Sequence, residues 1–389
     1  MFPVPKTFLP LLSHFAPCFA PQVRKKFSLF VMGSILTPAR RTVTHVLETC
    51  GLAQSAAFSK FHRIFNRDRW SSLEVGRILL LLLINTFSSV AAADQQQQQQ
   101  QQQEPPQHFS APLIPLLFAV DSTLERRRSL KIILKALYRD PVRSSKSMVV
   151  KVQAVRWQNF SFLGIIPWAA AAATAGAAPP HRLLQERLWA LPFLTVTAPG
   201  RRYYDSLGRT LHDPSILNRT ALTIALIARW LKRAGLNNSK LIFAGDNDFS
   251  ALHFLDRVRH HCAFITRLRM DAKIYEPVDE ADQTPRRGRP RKKGRLIGSA
   301  KQLLEEKTTD QLQWTTVEFE NFYGKGPMKV KLATGTGVWY SNARPVVPIR
   351  WVLIKPEEAA ATALLSTDLS LGAQEIVRYY MARWQQEVT

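Results

Sequence analysis

The sequence predicts an α/β protein with a separate helical region at its N-terminus, and three observations carry that prediction. Residues 1–93 mix apolar and basic residues at helical spacing. Residues 94–110 hold a pure glutamine run followed by EPPQ, a composition that cannot bury apolar surface and is typical of a flexible linker. From residue 111 onward, short apolar runs of strand character alternate with amphipathic helical segments.

The charge balance favours a polyanionic partner. The 389 residues carry 53 Lys and Arg against 29 Asp and Glu, a formal net charge of +24. Nucleic acid is the expected partner of such an excess, and an anionic membrane surface is the alternative. The apolar run 78–93 is shorter than the roughly 20 residues of a membrane span, so we expect a buried helix and no membrane. Three scattered cysteines form no disulfide framework and predict reduced thiols in a cytoplasm.

Within the N-terminal region, residues 55–70 predict a helix that contacts DNA. Phe58, Phe61 and Phe65 recur at helical spacing and are expected to face inward, which leaves a largely basic outer face. A solvated basic face without a partner is the alternative. No helix-turn-helix pattern indicates which groove such a helix would read.

Two carboxylates directly follow apolar strands behind the linker: Asp121 after strand 113–120, and Asp246 after strand 241–245. Helices are predicted at 214–235, where Pro214 suits the first turn and Gly235 the end, and at 249–259. The remaining strands of this region are predicted at 147–162, 191–198 and 262–267.

The final segment, 372–389, predicts a single helix. Tyr380, Arg383 and Glu387 stand at i, i+3 and i+7, so they align on one edge of that helix. Arg binds phosphate oxygens bidentately and a carboxylate holds Mg²⁺; an ordinary surface ion pair between Arg383 and Glu387 is the alternative. The adjacent apolar stripe consists of Val377, Met381, Trp384 and Val388.

This spacing resembles the Y-(2)-R-(3)-E-(6)-K pattern of bacterial insertion-sequence transposases of the DDE superfamily. The stretches LLFAVDST and KLIFAGDND, which contain Asp121 and Asp246, are similar to those that carry the family's first two catalytic carboxylates. The resemblance implies a ribonuclease H-like mixed sheet flanked by helices, formed by residues 111–270 and 371–389. Residues 271–370 would then be a basic linker and a β-rich insertion.

The resemblance also implies the chemistry of the site. Asp121, Asp246 and Glu387 would hold two Mg²⁺ ions, with Mn²⁺ as a substitute, while Tyr380 and Arg383 would grip the phosphate near the cleavage point. Asp248, two residues beyond Asp246, is the alternative second carboxylate. The implied partners are double-stranded DNA, as element ends and target, and a second copy of the chain bound as a homodimer on that DNA. The implied location is the cytoplasm, in association with the nucleoid.

The basic stretch PRRGRPRKKGR, residues 285–295, predicts a further DNA contact. Its core RGRP resembles an AT-hook, an extended peptide that lies in the narrow minor groove of A·T tracts. A disordered basic linker without base preference is the alternative. The candidate DNA-binding residues in this stretch are Arg287, Arg289, Arg291, Lys292 and Lys293.

One departure from the family pattern bears on activity. The Lys of the pattern would fall beyond Thr389, and Glu387 would occupy the last helical turn, where helices fray. We therefore expect feeble or absent DNA nicking from the chain as given. The alternative function is a DNA-binding remnant that occupies the element ends without catalysis.

Overall fold

The computed structural model divides the chain into two compact units, Met1–Leu82 and Leu83–Thr389. No helix among the described residues is both long enough and apolar enough to cross a membrane. The side chains of 88–100 and 201 are not described. The residues that the structure describes are 5–38, 40–100, 115–129, 131–145, 147–165, 188–208, 215–237, 239–278, 291–305, 312–357 and 359–388.

Short helices pack around an aromatic core in the first unit. Phe19 stacks on Phe27, with ring centroids 4.4 Å apart, and the buried Leu47 and Ile64 belong to the same cluster. The Thr42 hydroxyl caps the third helix by accepting a hydrogen bond from the backbone N–H of His45. The helices that begin in this unit are α1 (Leu9–Ser13), α2 (Pro21–Leu36), α3 (Val43–Thr49), α4 (Phe58–His62) and α5 (Ser72–Gln100), of which α5 continues beyond Leu82.

The helix predicted over 55–70 is shorter than expected. Helix α4 ends at His62 and the chain tightens into a 3-10 helix, Arg63–Phe65. A 3-10 helix turns more per residue than an α-helix, so Ile64 becomes the buried residue and Phe65 is 59% exposed. The prediction that Phe65 faces inward was therefore wrong, although Lys60 and Arg63 are exposed as predicted.

Helix α5 runs through the boundary predicted after residue 93. It buries Leu80 and Ile84 and continues into the first glutamines as far as Gln100. The sequence predicted a flexible linker there, whereas a helix is observed in its described part. Glutamine has a good intrinsic helix propensity, so a helix that is already nucleated can extend into it. The rest of the predicted linker, 101–110, lies outside the described residues.

A mixed sheet dominates the second unit, and its central order is β4-β3-β1-β5-β6. Strand β1 is antiparallel to β3 and parallel to β5, and β5 is parallel to β6. The hairpin strand β2 was missed because its segment reads as a basic loop. The bounds are β1 Leu116–Arg126, β2 Ala136–Arg139, β3 Lys151–Ile165, β4 Leu188–Thr197, β5 Leu241–Gly245 and β6 Ala263–Arg267.

The predicted β-rich insertion continues this same sheet. Its last strand, β12, pairs antiparallel with β6, with Leu365 opposite Thr266. The order then runs β12-β11-β10-β7-β8, and β9 also pairs with β10, which gives twelve strands in the described part of the chain. The bounds are β7 Lys273–Tyr275, β8 Leu296–Ser299, β9 Thr315–Phe319, β10 Met328–Trp339, β11 Val347–Pro356 and β12 Thr362–Ser366.

Helices cover the sheet, and the one predicted over 214–235 is confirmed. The Ser215 hydroxyl caps it by accepting from the Asn218 N–H, and Gly235 follows its end with a φ of +81°. The helices of this unit are α6 (Arg201–Ser206), α7 (Ile216–Arg233), α8 (Leu252–Val258), α9 (Ala300–Leu304), α10 (Ala373–Ala382) and α11 (Gln385–Val388).

One buried cluster joins the central strands, the insertion and the last long helix. Leu117 of β1 and Ile265 of β6 belong to it together with Val330 of β10, Val352 of β11 and Ile376 of α10. Because alternate residues of a strand point to opposite faces, Phe118 lies on the other face of β1, where it stacks on Phe243. The sheet of the insertion is therefore packed into the same core as the strands that carry the candidate carboxylates.

Candidate functional site

Two of the predicted site carboxylates lie beside each other in the centre of the sheet, where the pairing of β1 with β5 ends. The parallel pairing of β1 with β5 ends where Val120 lies opposite Gly245, and Asp121 and Asp246 are the next residues. Strand β1 continues along β3 as far as Arg126, whereas β5 ends at Gly245. Asp246 therefore follows the end of β5 as predicted, whereas the prediction that the first strand ends before Asp121 was wrong, because pairing with β3 extends β1 beyond Asp121.

The turn after β5 fixes the backbone of Asp246. Its Oδ1 accepts a hydrogen bond from the Asp248 N–H at 3.0 Å, and its carbonyl accepts one from the Thr266 hydroxyl at 2.6 Å. A Cβ added at Gly245 would meet the ring of Phe249 at 2.6 Å, so only glycine fits between strand and turn. Asp248 is more exposed than Asp246, which favours Asp246 as the carboxylate of the buried edge.

Burial and like charge raise the pKa values of both strand-borne carboxyls. Burial is the main cause for Asp121, and the negative charges of Glu387 and Asp248 add to it. Burial raises the pKa of Asp246 to about 6, with further contributions from Asp248 and Asp121. Arg383 opposes the rise at both sites. Two acidic residues, Asp121 and Asp248, and the Arg383 guanidinium therefore act electrostatically on Asp246, and Glu387 acts on Asp121.

The terminal segment is not the single helix that the sequence predicted. Helix α10 ends at Ala382, the chain turns at Arg383 and Trp384, and the short helix α11 follows. The backbone N–H groups of Trp384 and Glu387 bond three residues back, to Met381 and Trp384, in the tighter 3-10 manner. This break turns Val388 out to 58% exposure, so the predicted apolar stripe ends before it.

Arg383 joins the terminal helices to the carboxylates. It is only 9% exposed, its Nη2 lies 2.8 Å from Oε1 of Glu387, and its guanidinium carbon lies 5.5 Å from the Tyr380 ring centroid. Burial acts to lower the pKa of Arg383, but Tyr380, Glu387 and Asp121 outweigh burial and raise it. Its Nε is buried without a hydrogen-bond partner in the described part of the chain.

Tyr380 lies deeper than predicted. The sequence predicted a side chain at the edge of a cleft, but Tyr380 is 2% exposed and belongs to the main apolar cluster. Its ring packs against the Arg383 guanidinium. Glu387, in contrast, has a side chain that is 43% exposed. Of the three residues of the predicted row, Tyr380 and Arg383 are therefore buried and Glu387, which follows the helix break, is exposed.

The turn between β9 and β10 supplies two site residues that the sequence did not reveal. Burial raises the pKa of the Tyr323 hydroxyl, and the neighbouring Tyr380 adds to that effect, while Arg267 and Arg383 oppose it. Gly324 has a φ of +77°, and a Cβ there would meet the Trp384 ring at 2.7 Å. The glycines of this stretch indicated a turn, but nothing in the sequence indicated what the turn contacts.

A second contact anchors α11 beside Asp121. The Gln386 side-chain amide donates to the carbonyl of Asn159 at 3.1 Å, and Asn159 is the residue opposite Asp121 in the β1–β3 register. The Thr195 hydroxyl of β4 donates to the Asn159 side-chain oxygen at 2.9 Å. Glu387 is therefore held next to the first carboxylate through its neighbour in sequence.

The predicted basic stretch is described only from residue 291, so Arg287 and Arg289 lie outside the described residues. Arg291 and Lys292 are exposed. The Lys293 ammonium lies over the Tyr275 ring, 3.6 Å from its centroid. The described end of the basic stretch therefore contacts strand β7, through Lys293 and Tyr275, rather than the carboxylates.

The carboxylates fit a hard divalent cation by their chemistry. Oxygen donors that raise one another's pKa values are relieved by a bound cation, and Mg²⁺ prefers carboxylate oxygens and water. Within the described ranges, no three His, Cys, Asp or Glu side chains are gathered closely enough to hold a metal ion together. Glu387 is engaged with Arg383, so it would have to leave that ion pair to complete a three-carboxylate site.

Comparison of the chain with protein-family models, with curated proteins and with solved structures gave no match.

Proposed function

We propose that the second unit is a ribonuclease H-like nuclease and strand transferase of the DDE type, and that the chain acts as a DNA transposase. One observation carries the proposal: Asp121 and Asp246 follow paired positions at the end of the β1–β5 pair, and Arg383 and Glu387 act electrostatically on Asp121. A guanidinium beside clustered carboxylates suits a substrate that brings phosphate and a divalent cation together.

The order of elements supports this class. Along the chain, β1, β3 and β4 precede helix α7, then β5, helix α8 and β6 follow, and helices α10 and α11 close the unit. That sequence of strands and helices, with a β-rich insertion before the last helix, is the order that the resembled family has. The hairpin strand β2 is an addition to it.

The residues would divide the work by their positions. Asp121, Asp246 and Glu387 would hold Mg²⁺, and the chemistry that the bound ions would supply is activation of a water or 3′-hydroxyl and stabilisation of the leaving oxygen. Arg383 binds a phosphate oxygen, and among the described residues its buried Nε has no hydrogen-bond partner and so remains available as a donor. The Tyr380 ring packs against the guanidinium, with its centroid 5.5 Å from the guanidinium carbon, and Tyr323 interacts electrostatically with Arg383. Phosphate binding by Arg383 releases Glu387 from its ion pair, which frees that carboxylate for the cation.

Charge supports double-stranded DNA as the substrate. A formal +24 favours binding to the phosphate backbone, and each neutralised phosphate contributes about −0.9 to the slope of log affinity against log salt concentration. Exposed Lys60 and Arg63 in the first unit and Arg291 and Lys292 in the second are candidate contacts. A homodimer on DNA would provide one such active site for each element end.

Nicking of supercoiled plasmid DNA tests the proposal. The full chain should convert plasmid to open circles slowly in Mg²⁺ or Mn²⁺ but not in chelator, and Asp121→Asn should reduce that low rate to background, since the loss of a group that stabilises transition-state charge usually costs about 10²- to 10³-fold. Asp256→Asn is the matched control, since Asp256 pairs with Arg259 at 3.0 Å on helix α8. Equal rates for Asp121→Asn and Asp256→Asn would refute the assignment.

A further inference from the structure

A cavity of about 620 Å³ lies in the second unit, apart from the carboxylates. Its walls come from the turn at 250–253, the loop that leads into β7, Lys293, and the turn between β10 and β11. Small-molecule sites in proteins typically measure about 300–1,000 Å³. The cavity is therefore large enough for a ligand of nucleotide size.

The charge of the lining selects an anion. Arg269, Lys273, Lys293 and Arg344 line the cavity with a single carboxylate, Asp271. Asp271 is bound by Arg269 through two hydrogen bonds of 3.0 and 2.8 Å. In the described part of the chain, the other three cations form no ion pair. Three positive charges in one concave surface attract a negatively charged ligand.

Aromatic rings line the same cavity. The Lys293 ammonium lies 3.6 Å from the Tyr275 centroid and 4.9 Å from that of Tyr340, and the two rings meet edge to face at 6.2 Å. These cation–π contacts hold the ammonium at the wall. Trp339 completes the aromatic surface. A planar, conjugated ligand part is what such a surface accommodates best.

The backbone on both sides of the cavity is fixed. The Gly294 N–H donates to the Glu276 carbonyl and the Glu276 N–H donates to the Arg295 carbonyl, each at 2.8 Å. A Cβ at Gly294 would meet the Pro277 carbonyl oxygen at 2.6 Å, so only glycine permits this approach. On the opposite wall, Ala343 has a left-handed φ of 57° directly before Arg344. The cationic side chains therefore project from constrained segments.

We propose that this cavity binds a nucleotide, with its phosphate on Lys273, Lys293 and Arg344 and its base against Tyr275 and Tyr340. Bare phosphate would leave most of the volume and the aromatic surface unused. An uncharged planar compound would leave three cations unpaired, and a metal ion would be repelled. The nucleotide is either a free molecule or one unit of a single strand, since both present the same base and phosphate.

Calorimetric titration of the full chain in chelator tests the site without any nuclease activity. Deoxyadenosine monophosphate should bind, and deoxyadenosine and inorganic phosphate should bind at least about tenfold more weakly. Arg344→Gln and Tyr340→Leu should each weaken nucleotide binding about tenfold or more, since a charge-assisted hydrogen bond or a stacked base contributes that much. Arg295→Gln is the matched control, because Arg295 is exposed and pairs with Glu276 outside the lining.

Three results would overturn the assignment: no binding of the nucleotide, equal binding of nucleotide and deoxyadenosine, or equal effects of Arg344→Gln and Arg295→Gln. Thermal unfolding of each variant verifies that it is folded. A single-stranded oligonucleotide that displaces the nucleotide and binds more tightly identifies a strand as the source, and failure to displace it identifies a free nucleotide. The Asp121→Asn variant should bind the nucleotide with unchanged affinity, so the nucleotide site and the proposed nuclease function are tested independently of each other.

Discussion

The strand-borne carboxylates and the helix-borne carboxylate of the candidate site are built in opposite ways. Asp121 and Asp246 follow paired positions of a parallel ladder, they are partly buried, and both have raised pKa values. Glu387 lies in the four-residue helix α11, its side chain is 43% exposed, and Arg383 neutralises it. Asp121 and Asp246 are therefore fixed by the sheet in mutual repulsion, whereas Glu387 lies on a short helix and is paired with Arg383.

The comparison indicates that the electrostatic repulsion within the site lies mainly between the two carboxylates on the strands. Neighbouring strands keep two like charges close together because their backbone hydrogen bonds fix the distance. The short helix α11 cannot hold Glu387 against such repulsion, because the helix can shift and the Glu387 side chain can pair with Arg383. We therefore expect substitutions at the strand ends to change activity and pH-dependent stability strongly, and substitution of Glu387 to change the stability of the metal-free protein little.

The largest expected effect separates the two acids of the β5 turn. Asp246→Asn should lower metal-dependent plasmid nicking about 10²- to 10³-fold, because it removes a carboxylate from the buried edge. Asp248→Asn should lower it less than about tenfold, since Asp248 is exposed and acts mainly through its charge. The measurement is the initial nicking rate at equal protein concentration. A larger loss in Asp248→Asn would make Asp248 the second carboxylate.

The turn that supports α11 offers a matched pair of glycines. Gly324 and Gly326 both have left-handed φ values, 77° and 85°, but only a Cβ at Gly324 meets Trp384. Gly324→Ala should therefore destabilise the protein by about 1–3 kcal/mol more than Gly326→Ala, the usual cost of overpacking. Urea unfolding followed by circular dichroism measures the difference. Equal destabilisation would show that the contact with Trp384 contributes nothing.

The pH dependence of the free energy of unfolding tests how much the charged form of Asp246 destabilises the folded protein. Its folded pKa of about 6 lies above the ordinary value of 3.8, so the folded state binds the proton more tightly and loses stability as the pH rises from about 4 through 6. In chelator at pH 7.5, Asp246→Asn should be more stable than the natural sequence by about 1–2 kcal/mol, allowing for solvent screening.

That gain should vanish at about pH 2.5, where Asp246 is neutral in both states because the pH lies well below its ordinary pKa of 3.8. Asp256→Asn provides the control, because it removes a carboxylate that is paired on the surface of α8. A gain for Asp246→Asn that persists at about pH 2.5 would assign the gain to packing rather than to charge.

The smallest effect is expected at Glu387. Glu387→Gln in chelator should change the free energy of unfolding by less than about 1 kcal/mol, because the Glu387 side chain is half exposed and its ion pair with Arg383 is screened by solvent. Asp121 remains near Arg383 to offset the guanidinium charge. Urea unfolding at pH 7.5 is again the measurement. A loss of several kcal/mol would mean that Glu387 is as structurally fixed as the strand-borne acids, and the comparison would fail.

Local sequence patterns predicted much of this architecture. The bounds of β5 agree with the prediction, and α7 differs from it by only two residues at each end. Apolar runs that end in a carboxylate, and helices bounded by Pro or Ser and by Gly, are determined by neighbouring residues. Strand β12 was missed, because TALLS is too short to distinguish from a loop before its partners β6 and β11 are known.

Local sequence patterns predicted strand β5 and the position of Asp246 directly after it, whereas Asp121 lies within strand β1, whose pairing with β5 is a tertiary feature. Only the tertiary structure decided the rest. Packing of the β9–β10 turn against Trp384 accompanies the break at Arg383, and this break separates a buried Tyr380 from an exposed Glu387. Contacts between segments far apart in sequence leave no local period or spacing, so these features could not be deduced before the chain was folded.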